Sequence, residues 1–213
     1  MGVATRMLSL FLLANLASGC SLLFPTEAGE SLSHYDSTAP AAFEPAPDFK
    51  LSDLDGNPVE LADLVGKRPV VLQLGSLSCP VFRYRRFDVQ KLQRDFAGEV
   101  DFVVVYTQEA HPADDHNPYT DEVWNPFINK VAGINVPLHR TLDQRRDQAA
   151  RAYEHVELDS LFLVDSMDNV VWQRYGAAPS PAYVLDVDGN IVLRQAWVNP
   201  KDIRVVLEGL LNE

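Results

Sequence analysis

Residues 69–96 read PVVLQLGSLSCPVFRYRRFDVQKLQRDF. Residues 69–74 are a run of β-branched and apolar side chains, typical of a strand that is buried on both faces of a sheet. Residues 80–96 then change to helical spacing, and five side chains are expected to point inward: Val81, Tyr84, Val89, Leu92 and Phe96. Residues 101–106, DFVVVY, repeat the buried-strand pattern. Strand, helix and strand in this order predict one parallel βαβ unit.

Two hairpins are predicted outside this unit. Residues 48–61 are expected to fold back about the turn Asp55-Gly56-Asn57. Residues 182–187 and 191–194 flank Asp188-Gly189, which is the strongest short hairpin signal in the chain. Each hairpin would add antiparallel strands beside the parallel unit.

A further helix and strand lie between the unit and the second hairpin. Residues 143–153 have a helical pattern, and residues 161–164 predict a third buried strand. Near the C-terminal end, Asn199 as N-cap and Pro200 as the first helical residue predict a closing amphipathic helix.

These elements together predict an α/β protein with a thioredoxin-like fold. It has a central mixed sheet flanked by helices, an N-terminal hairpin extension and a long active-site loop over residues 107–138, which are polar and rich in proline. Pro181 immediately precedes a hairpin strand, where thioredoxin-like folds hold a cis peptide facing the active thiol. Its position therefore favours a cis bond over the trans form that proline usually has.

The composition limits the classes of protein that fit. The chain has 213 residues, 46% of them hydrophobic and 23% charged, which is typical of one globular domain with short additions. Lys and Arg number 18 against 30 Asp and Glu, so the net charge is -12. A negative charge of this size repels phosphate backbones and anionic lipid, so we expect no nucleic-acid partner.

The N-terminal segment has the layout of an export signal. An apolar run of about nine residues, 8–16, is too short to cross a bilayer, and small residues follow it. The stretch Leu16-Ala17-Ser18-Gly19-Cys20 resembles the bacterial lipobox, in which the cysteine is lipidated after cleavage. Residues 1–19 are therefore predicted to be a signal peptide, residues 20–46 a flexible linker anchored by lipid on Cys20, and residues 47–213 the folded body.

This interpretation also predicts a location. The resemblance implies an exported lipoprotein in the bacterial cell envelope, and the non-acidic Ser21 favours the outer membrane, facing the periplasm. The lipid would be the protein's only contact with the membrane. A plainly secreted protein and an uncleaved anchor remain open alternatives.

Cys79 is the thiol that would be left in the processed chain. It lies between a strand and a helix N-terminus, where amide N–H groups stabilise a thiolate, so we expect a lowered pKa. Arg83 and Arg86 either add positive potential there or lie on a solvated helix face. Phe82 occupies the position of the second cysteine of a C-x-x-C pair, so an oxidised Cys79 would need an external thiol reductant.

Four blocks of the chain carry a family resemblance. They are GSLSCPVF at 75–82, VVYTQEAHPAD at 104–114, HRTLDQR at 139–145, and VDSMDN at 164–169 followed by YGA at 175–177. In this order they resemble iodothyronine deiodinases, in which selenocysteine or cysteine stands at the position of Cys79. The resemblance implies a thioredoxin-fold oxidoreductase that removes iodine from an iodinated, or more broadly halogenated, phenol and uses a thiol as co-substrate.

The resemblance also implies site residues. Cys79 matches the catalytic chalcogen, Glu109 and His111 match a functional pair on the long loop, and His139 matches a second histidine implicated in proton transfer. A histidine with a pKa near 6.5 can relay the proton that dehalogenation requires, and Glu109 could orient or charge the His111 ring.

Supporting contacts are expected from four further residues. These are Ser76, Ser78, Arg83 and Pro181. Ser180-Pro181 stands where the family has Glu-Arg, so an iodothyronine need not be the substrate even if the reaction is the same. The spacing of His111, Asp114 and His116 does not fit a closed metal site, and neither a metal nor an organic cofactor is predicted.

Two other functions fit parts of the sequence. Residues 47–82 also resemble peroxiredoxins, with Ser76 as the hydroxyl before the thiolate but Leu72 where the motif has proline, so a one-cysteine peroxide reductase is an alternative. A non-catalytic envelope binding protein is another, and a deeply buried Cys79 would favour it. A small halogenated or peroxide substrate and a thiol reductant are the expected partners, and a homodimer is left open.

Overall fold

The fold is known from a computed structural model, which describes residues 34–120 and 122–212. Residues 34–38 form helix α1. The strands are β1 Lys50–Asp53, β2 Pro58–Glu60, β3 Val70–Gly75, β4 Asp101–Tyr106, β5 Leu161–Val164, β6 Ala182–Leu185 and β7 Ile191–Gln195. The remaining helices are α2 Leu61–Leu64, α3 Pro80–Tyr84, α4 Arg86–Asp95, α5 Phe127–Val131, α6 Leu142–Val156, α7 Val170–Arg174 and α8 Pro200–Leu210.

The seven strands form one mixed sheet in the order β2-β1-β5-β4-β3-β6-β7. The central strands β3, β4 and β5 are parallel, which confirms the predicted βαβ unit. The two predicted hairpins add β1 and β2 at one edge and β6 and β7 at the other, all antiparallel to their neighbours. This is the thioredoxin-like α/β arrangement expected from the sequence.

Alternating side chains of the central strands bury both faces of the sheet. Val71 and Val104 point to the face covered by α4, α6 and α8, whereas Leu72, Leu74 and Val105 point to the face covered by α1 and α7. Each central strand is apolar at almost every position because both of its faces are covered. The carboxyl ends of β3 and β4 meet at one edge of this core, where Gly75 pairs with Tyr106.

The folded body begins before Pro47, so the prediction of a flexible linker through residue 46 is wrong for residues 34–46. Tyr35 is buried in the core beneath the sheet, and a Cβ at Gly176 would lie only 2.6 Å from its ring. The Phe43 and Ala46 amides donate to the carbonyls of Ile191 and Gly189, at 2.7 and 3.0 Å. This segment therefore packs as an outer layer because it has its own apolar anchor and a strand edge to bond.

The predicted helix over residues 80–96 is divided in two. Arg85, with φ of −76° and ψ of −8°, lies between α3 and α4. Val89, Leu92 and Phe96 are buried as predicted, but Tyr84 is exposed. Tyr84, the last residue of α3, is 54% exposed, so its expected inward position is wrong.

The Ser180–Pro181 bond is trans, as is every peptide bond in the described parts of the chain, so the expected cis bond is not found. Instead, the Pro181 carbonyl accepts a hydrogen bond from the Leu74 amide at 2.9 Å, and the Ser180 carbonyl accepts one from Val198 at 2.9 Å. These bonds continue the pairing of β6 with its neighbours up to the edge where Cys79 lies.

The predicted signal peptide and Cys20 lie outside the described residues. Over residues 34–120 and 122–212, the longest apolar helices fall short of what a membrane-crossing segment requires.

Candidate active site

Cys79 is placed by a tight connection between β3 and α3. It is the N-cap residue of α3, and Pro80 begins the helix because its fixed φ suits the first helical position. The Cys79 amide donates to the Ser76 carbonyl at 3.1 Å, which closes the loop after the strand. Gly75 has to be a glycine here, because a Cβ at that position would overlap the Phe82 ring.

The thiol of Cys79 is buried, with 1% of the residue exposed. Burial raises its pKa to about 11, although the amides of Phe82 and Val81 and the charge of Arg83 oppose this. The expected lowering of the pKa is therefore wrong in this closed arrangement. The helix N-terminus and Arg83 act in the predicted direction, but loss of water around the thiolate has the larger effect.

The loop around Cys79 is held by Glu109, which is also fully buried. Its carboxylate accepts a hydrogen bond from the Ser78 amide at 2.9 Å and another from the Tyr106 hydroxyl. The Tyr106 hydroxyl accepts in turn from the Leu77 amide at 3.2 Å. Burial raises the pKa of Glu109, and these hydrogen bonds favour its ionised form. Glu109 thus orders the backbone that carries Cys79.

The two predicted serines connect this loop to the chain beyond β4. Ser76 Oγ accepts from the Ala110 amide at 3.0 Å, and Ser78 Oγ accepts from the His111 amide at 2.9 Å. Both serines are buried. They join the ends of β3 and β4 side by side, so the sequence-predicted residues Ser76, Ser78, Cys79, Glu109 and His111 are brought together.

Arg83 turns inward, and the alternative of a solvated helix face is wrong for it. Its guanidinium donates to the Leu77 carbonyl and, at 2.5 Å, to Oδ1 of Asn129. Asn129 on α5 completes the link by donating from Nδ2 to the Ser78 carbonyl at 2.8 Å. Sequence analysis missed Asn129, because one asparagine in a polar connection gives no signal of its burial.

His111 does not pair with Glu109 through its ring, contrary to the expectation. The ring packs edge-on against Trp124, with centroids 4.7 Å apart, and is hydrogen-bonded to the Trp124 backbone. Nδ1 is buried without a hydrogen-bond partner among the described residues. Burial, helped by the charge of Arg83, lowers the His111 pKa to about 4, so the ring is neutral at pH 7.

His139 is more deeply buried than His111, with 3% of the residue exposed. Its ring lies 6.4 Å from that of Tyr106, and both ring nitrogens lack a partner within the described parts of the chain. Burial, with the charge of Arg145, lowers its pKa to about 3. Neither histidine has the expected pKa near 6.5, because removal from water penalises the imidazolium form of both.

Arg145 and Asp165 support the region behind His139. The Arg145 guanidinium is buried and donates to the backbone carbonyls of Asp165 and Ser166. The Asp165 carboxylate accepts from the amides of Val171 and Trp172, at 3.1 and 2.9 Å, at the start of α7. Arg145 and Asp165 lie in two of the sequence blocks, but their structural role is visible only in the fold.

The closed site holds a neutral thiol, two neutral imidazoles and a carboxylate on the loop backbone. These groups can exchange protons, and the Cys79 thiol can act as a nucleophile once water or a substrate reaches it. In the chain from residue 34 to 212, apart from residue 121, no three His, Cys, Asp or Glu side chains are grouped as metal ligands.

One known protein family matches most of this chain. A family model described as iodothyronine deiodinase matches residues 25–210. Thyroxine 5-deiodinase of Gallus gallus is 32% identical over 163 residues, covering 76% of this chain and 58% of the relative. Type I iodothyronine deiodinase of Xenopus laevis is 32% identical over 168 residues, covering 76% of this chain and 61% of the relative. The chain thus spans about three fifths of the length of these relatives.

Solved structures agree on the fold. The thioredoxin domain of a thiol-disulfide oxidoreductase from Bacteroides vulgatus superposes with a TM-score of 0.56 at 18% identity, covering 81% of this chain and 99% of that domain. The family-model match at residues 25–210 includes all four sequence blocks, which contain Cys79, His111, His139 and Asp165. On the extent of the family match and the identity to its members, this chain belongs to the iodothyronine deiodinase family.

Proposed function

We propose that the protein is a thiol-dependent oxidoreductase that removes a halogen, iodine in the simplest case, from a phenol. The observation that carries this proposal is the convergence of Cys79, Glu109 and His111 at the ends of two parallel strands, tied by the hydrogen bonds of Ser76 and Ser78. Family membership supports the same reaction, since the relatives are thyroxine and iodothyronine deiodinases.

The reaction balances with one cysteine and two molecules of an external thiol. The Cys79 thiolate attacks iodine, the carbon–iodine bond breaks, and the ring carbon takes up a proton while a sulfenyl iodide forms on Cys79. An external thiol displaces iodide and forms a mixed disulfide, and a second thiol releases reduced Cys79. One aryl iodide is reduced to the arene, two thiols are oxidised to one disulfide, and iodide and a proton are released.

The proton of the ring carbon has two candidate carriers. The His111 amide is bonded to Ser78 in the Cys79 loop, and the His139 ring lies beside Tyr106, which is itself bonded to that loop. Either histidine can relay a proton once it regains contact with water. Burial is the first cause of the shifted pKa values of Cys79, His111 and His139. An arrangement opened by substrate would therefore bring the thiol and imidazole pKa values closer together, which makes proton exchange between them easier.

The compartment follows from the N-terminal sequence. We infer that the chain is exported and tethered by lipid on Cys20, on the basis of the signal pattern and the lipobox-like stretch before that residue. With Cys20 lipidated, Cys79 has no second cysteine to pair with inside the chain. The reductant would therefore be a separate thiol in the oxidising envelope compartment.

The proposal is tested by iodide release from 2-iodophenol and from thyroxine with dithiothreitol as reductant. The full-length chain in mild detergent is compared with Cys79→Ser and with Cys20→Ser, which removes the other cysteine. We expect release by the parent and by Cys20→Ser, and none by Cys79→Ser. Release that survives Cys79→Ser overturns the proposal.

A second function is favoured by one observation, the 1% exposure of Cys79. A thiol this deeply covered suits a binding protein that uses the fold without redox chemistry. To separate this binding protein from a peroxide reductase, the same preparations are also assayed for peroxide consumption. Loss of peroxide that requires Cys79 would assign the peroxide reductase instead, and the absence of both activities would assign the binding protein.

A further inference from the structure

A cleft of about 480 Å³ lies between α1, α7 and residues 118–119. This volume lies within the range of about 300–1,000 Å³ that is usual for small-molecule sites. Seven residues from three parts of the chain line it: His34, Thr38, Pro118, Tyr119, Trp172, Gln173 and Ala177. The cleft exists because residues 34–38 pack on the body, so it could not be expected from a flexible linker.

The walls of the cleft suit an aromatic ligand. The Tyr119 and Trp172 rings lie 6.1 Å apart at an angle of 54°, and Pro118 and Ala177 add apolar surface. Aromatic side chains at such distances accept a further ring by edge or offset contacts. Thr38 and Gln173 provide hydrogen-bonding groups for a phenolic hydroxyl.

Tyr119 connects the cleft to Cys79. Its ring lines the cleft and also packs against the buried cluster that contains Leu77, Cys79 and Ala110. Burial raises the pKa of Tyr119, and the charges of Cys79 and Glu109 act in the same direction. The Tyr119 side chain therefore separates a ligand in the cleft from the thiol. A rotation of this single side chain would open a route to a sulfur that is otherwise covered.

The cleft also has a charge preference. None of its seven lining residues is Lys, Arg, Asp or Glu, and the chain as a whole carries a net charge of -12. An ammonium or carboxylate group on the ligand would lose hydration there without gaining an opposite charge. A phenol without such groups needs a hydrogen-bond partner in the cleft only for its hydroxyl.

We propose that this cleft binds the substrate, that the substrate is an uncharged halogenated phenol rather than an amino-acid derivative, and that Tyr119 is the gate between the cleft and Cys79. The inference rests on the proposed function for the identity of the reaction, but binding to the cleft is measurable without any turnover.

The test is equilibrium dialysis of the full-length chain with 2-iodophenol and with 3-iodotyrosine, in the same detergent and without a thiol. The two ligands share the iodinated ring, and 3-iodotyrosine adds an ammonium and a carboxylate. We expect 2-iodophenol to bind at least tenfold more tightly. Equal affinities, or tighter binding of 3-iodotyrosine, overturn the preference for an uncharged ligand.

The location is tested by filling the cleft. Thr38→Trp and Gln173→Phe each place a large side chain in it and should weaken 2-iodophenol binding at least tenfold. Val205→Trp is the matched control, because Val205 is exposed on α8, which packs on the opposite face of the sheet. Circular dichroism checks that each variant folds. Unchanged binding in both folded cleft variants overturns the proposal.

A further variant separates this proposal from the proposed function. Cys79→Ser should bind 2-iodophenol within twofold of the parent. Binding that Thr38→Trp abolishes, together with no iodide release from the parent, would retain the cleft and overturn the dehalogenase. Iodide release from 2-iodophenol that Thr38→Trp leaves at the parent rate would retain the dehalogenase and overturn the cleft.

Discussion

The pair of strands β3 and β4 and the connection after β4, residues 107–138, are held together in opposite ways. The strands are apolar at almost every position and bury both faces against helices. The connection contains the short helix α5. It is fixed by single polar side chains such as Asn129 and Asp114, and Oδ1 of Asp114 accepts from the Leu138 amide at 2.7 Å.

Helix α5 shows how far the two regions differ. Its polar residue Asn129 is completely buried, whereas its apolar residue Phe127 is 80% exposed. In the strands the hydrophobic side chains decide which face is inside, but in α5 a pair of hydrogen bonds decides it. We infer that the strands supply most of the stability and that the connection supplies the arrangement around Cys79.

The largest effect should come from a cavity in the strand pair. Leu74 on β3 is fully buried, so Leu74→Ala is expected to lower the free energy of unfolding by about 2–5 kcal/mol. Urea denaturation measures it. Leu161→Ala on β5 is the matched control, because Leu161 is 37% exposed, and it should cost clearly less. Equal losses would contradict the assignment of stability to the buried central strands.

Removal of the α5 anchor should have the next largest effect. Asn129→Ala leaves the Ser78 carbonyl and the Arg83 guanidinium without their partner, which we expect to cost about 1–3 kcal/mol. It should also uncover the thiol, so iodoacetamide should alkylate Cys79 faster than in the parent at pH 8. An unchanged alkylation rate would show that α5 does not hold the cover over Cys79.

The free energy of unfolding should depend on pH through the buried ring of His139. The folded pKa is about 3 and the usual value is about 6.5, so the unfolded chain binds the extra proton first and stability falls as pH falls from 6.5 toward 3. The loss from this group is about 1.4 kcal/mol at pH 5.5.

The variant His139→Phe isolates this contribution, because phenylalanine keeps a ring and does not titrate. The parent should lose more stability than His139→Phe between pH 7.5 and pH 5.5 in urea denaturation. His155→Phe, at an exposed position, should change the pH dependence less. Parallel pH profiles for the parent and His139→Phe would mean that His139 is not buried as a neutral ring.

The smallest effect is expected on the outer side of α5. Phe127→Ser removes a large apolar side chain that makes little buried contact, so the free energy of unfolding should change by less than about 0.5 kcal/mol. Thermal or urea denaturation beside Asn129→Ala gives the comparison within one helix. A loss for Phe127→Ser as large as that for Asn129→Ala would indicate that Phe127 is covered in solution.

The sequence predicted the strands well because local pattern and burial coincide there. The runs at residues 69–74 and 101–106 became β3 and β4, and Asn199 with Pro200 begins α8, with the Asn199 side chain accepting from the Lys201 amide at 3.2 Å. The hairpin turn at Gly189, which has a φ of 84°, was also predicted from the sequence. In each case the deciding interaction lies within a few residues along the chain.

The sequence indicated candidate site residues but not their environment. The fold brings Cys79, Glu109 and His111 together with Ser76 and Ser78, whereas His139 packs beside Tyr106. Asn129 and Tyr119 were missed, since neither residue type in a polar connection indicates burial. Residues 34–46 were assigned to a linker because Tyr35 is one aromatic residue in a polar segment.

The sequence by itself therefore determined the order of the strands along the chain, the position of Cys79 at a helix N-terminus and the family to which the chain belongs. Only the tertiary structure decided the charge states of the site. The pKa values of Cys79, His111 and His139 all depend first on exclusion of water by segments distant in sequence. Desolvation is a property of what packs over a group, and no local pattern records it.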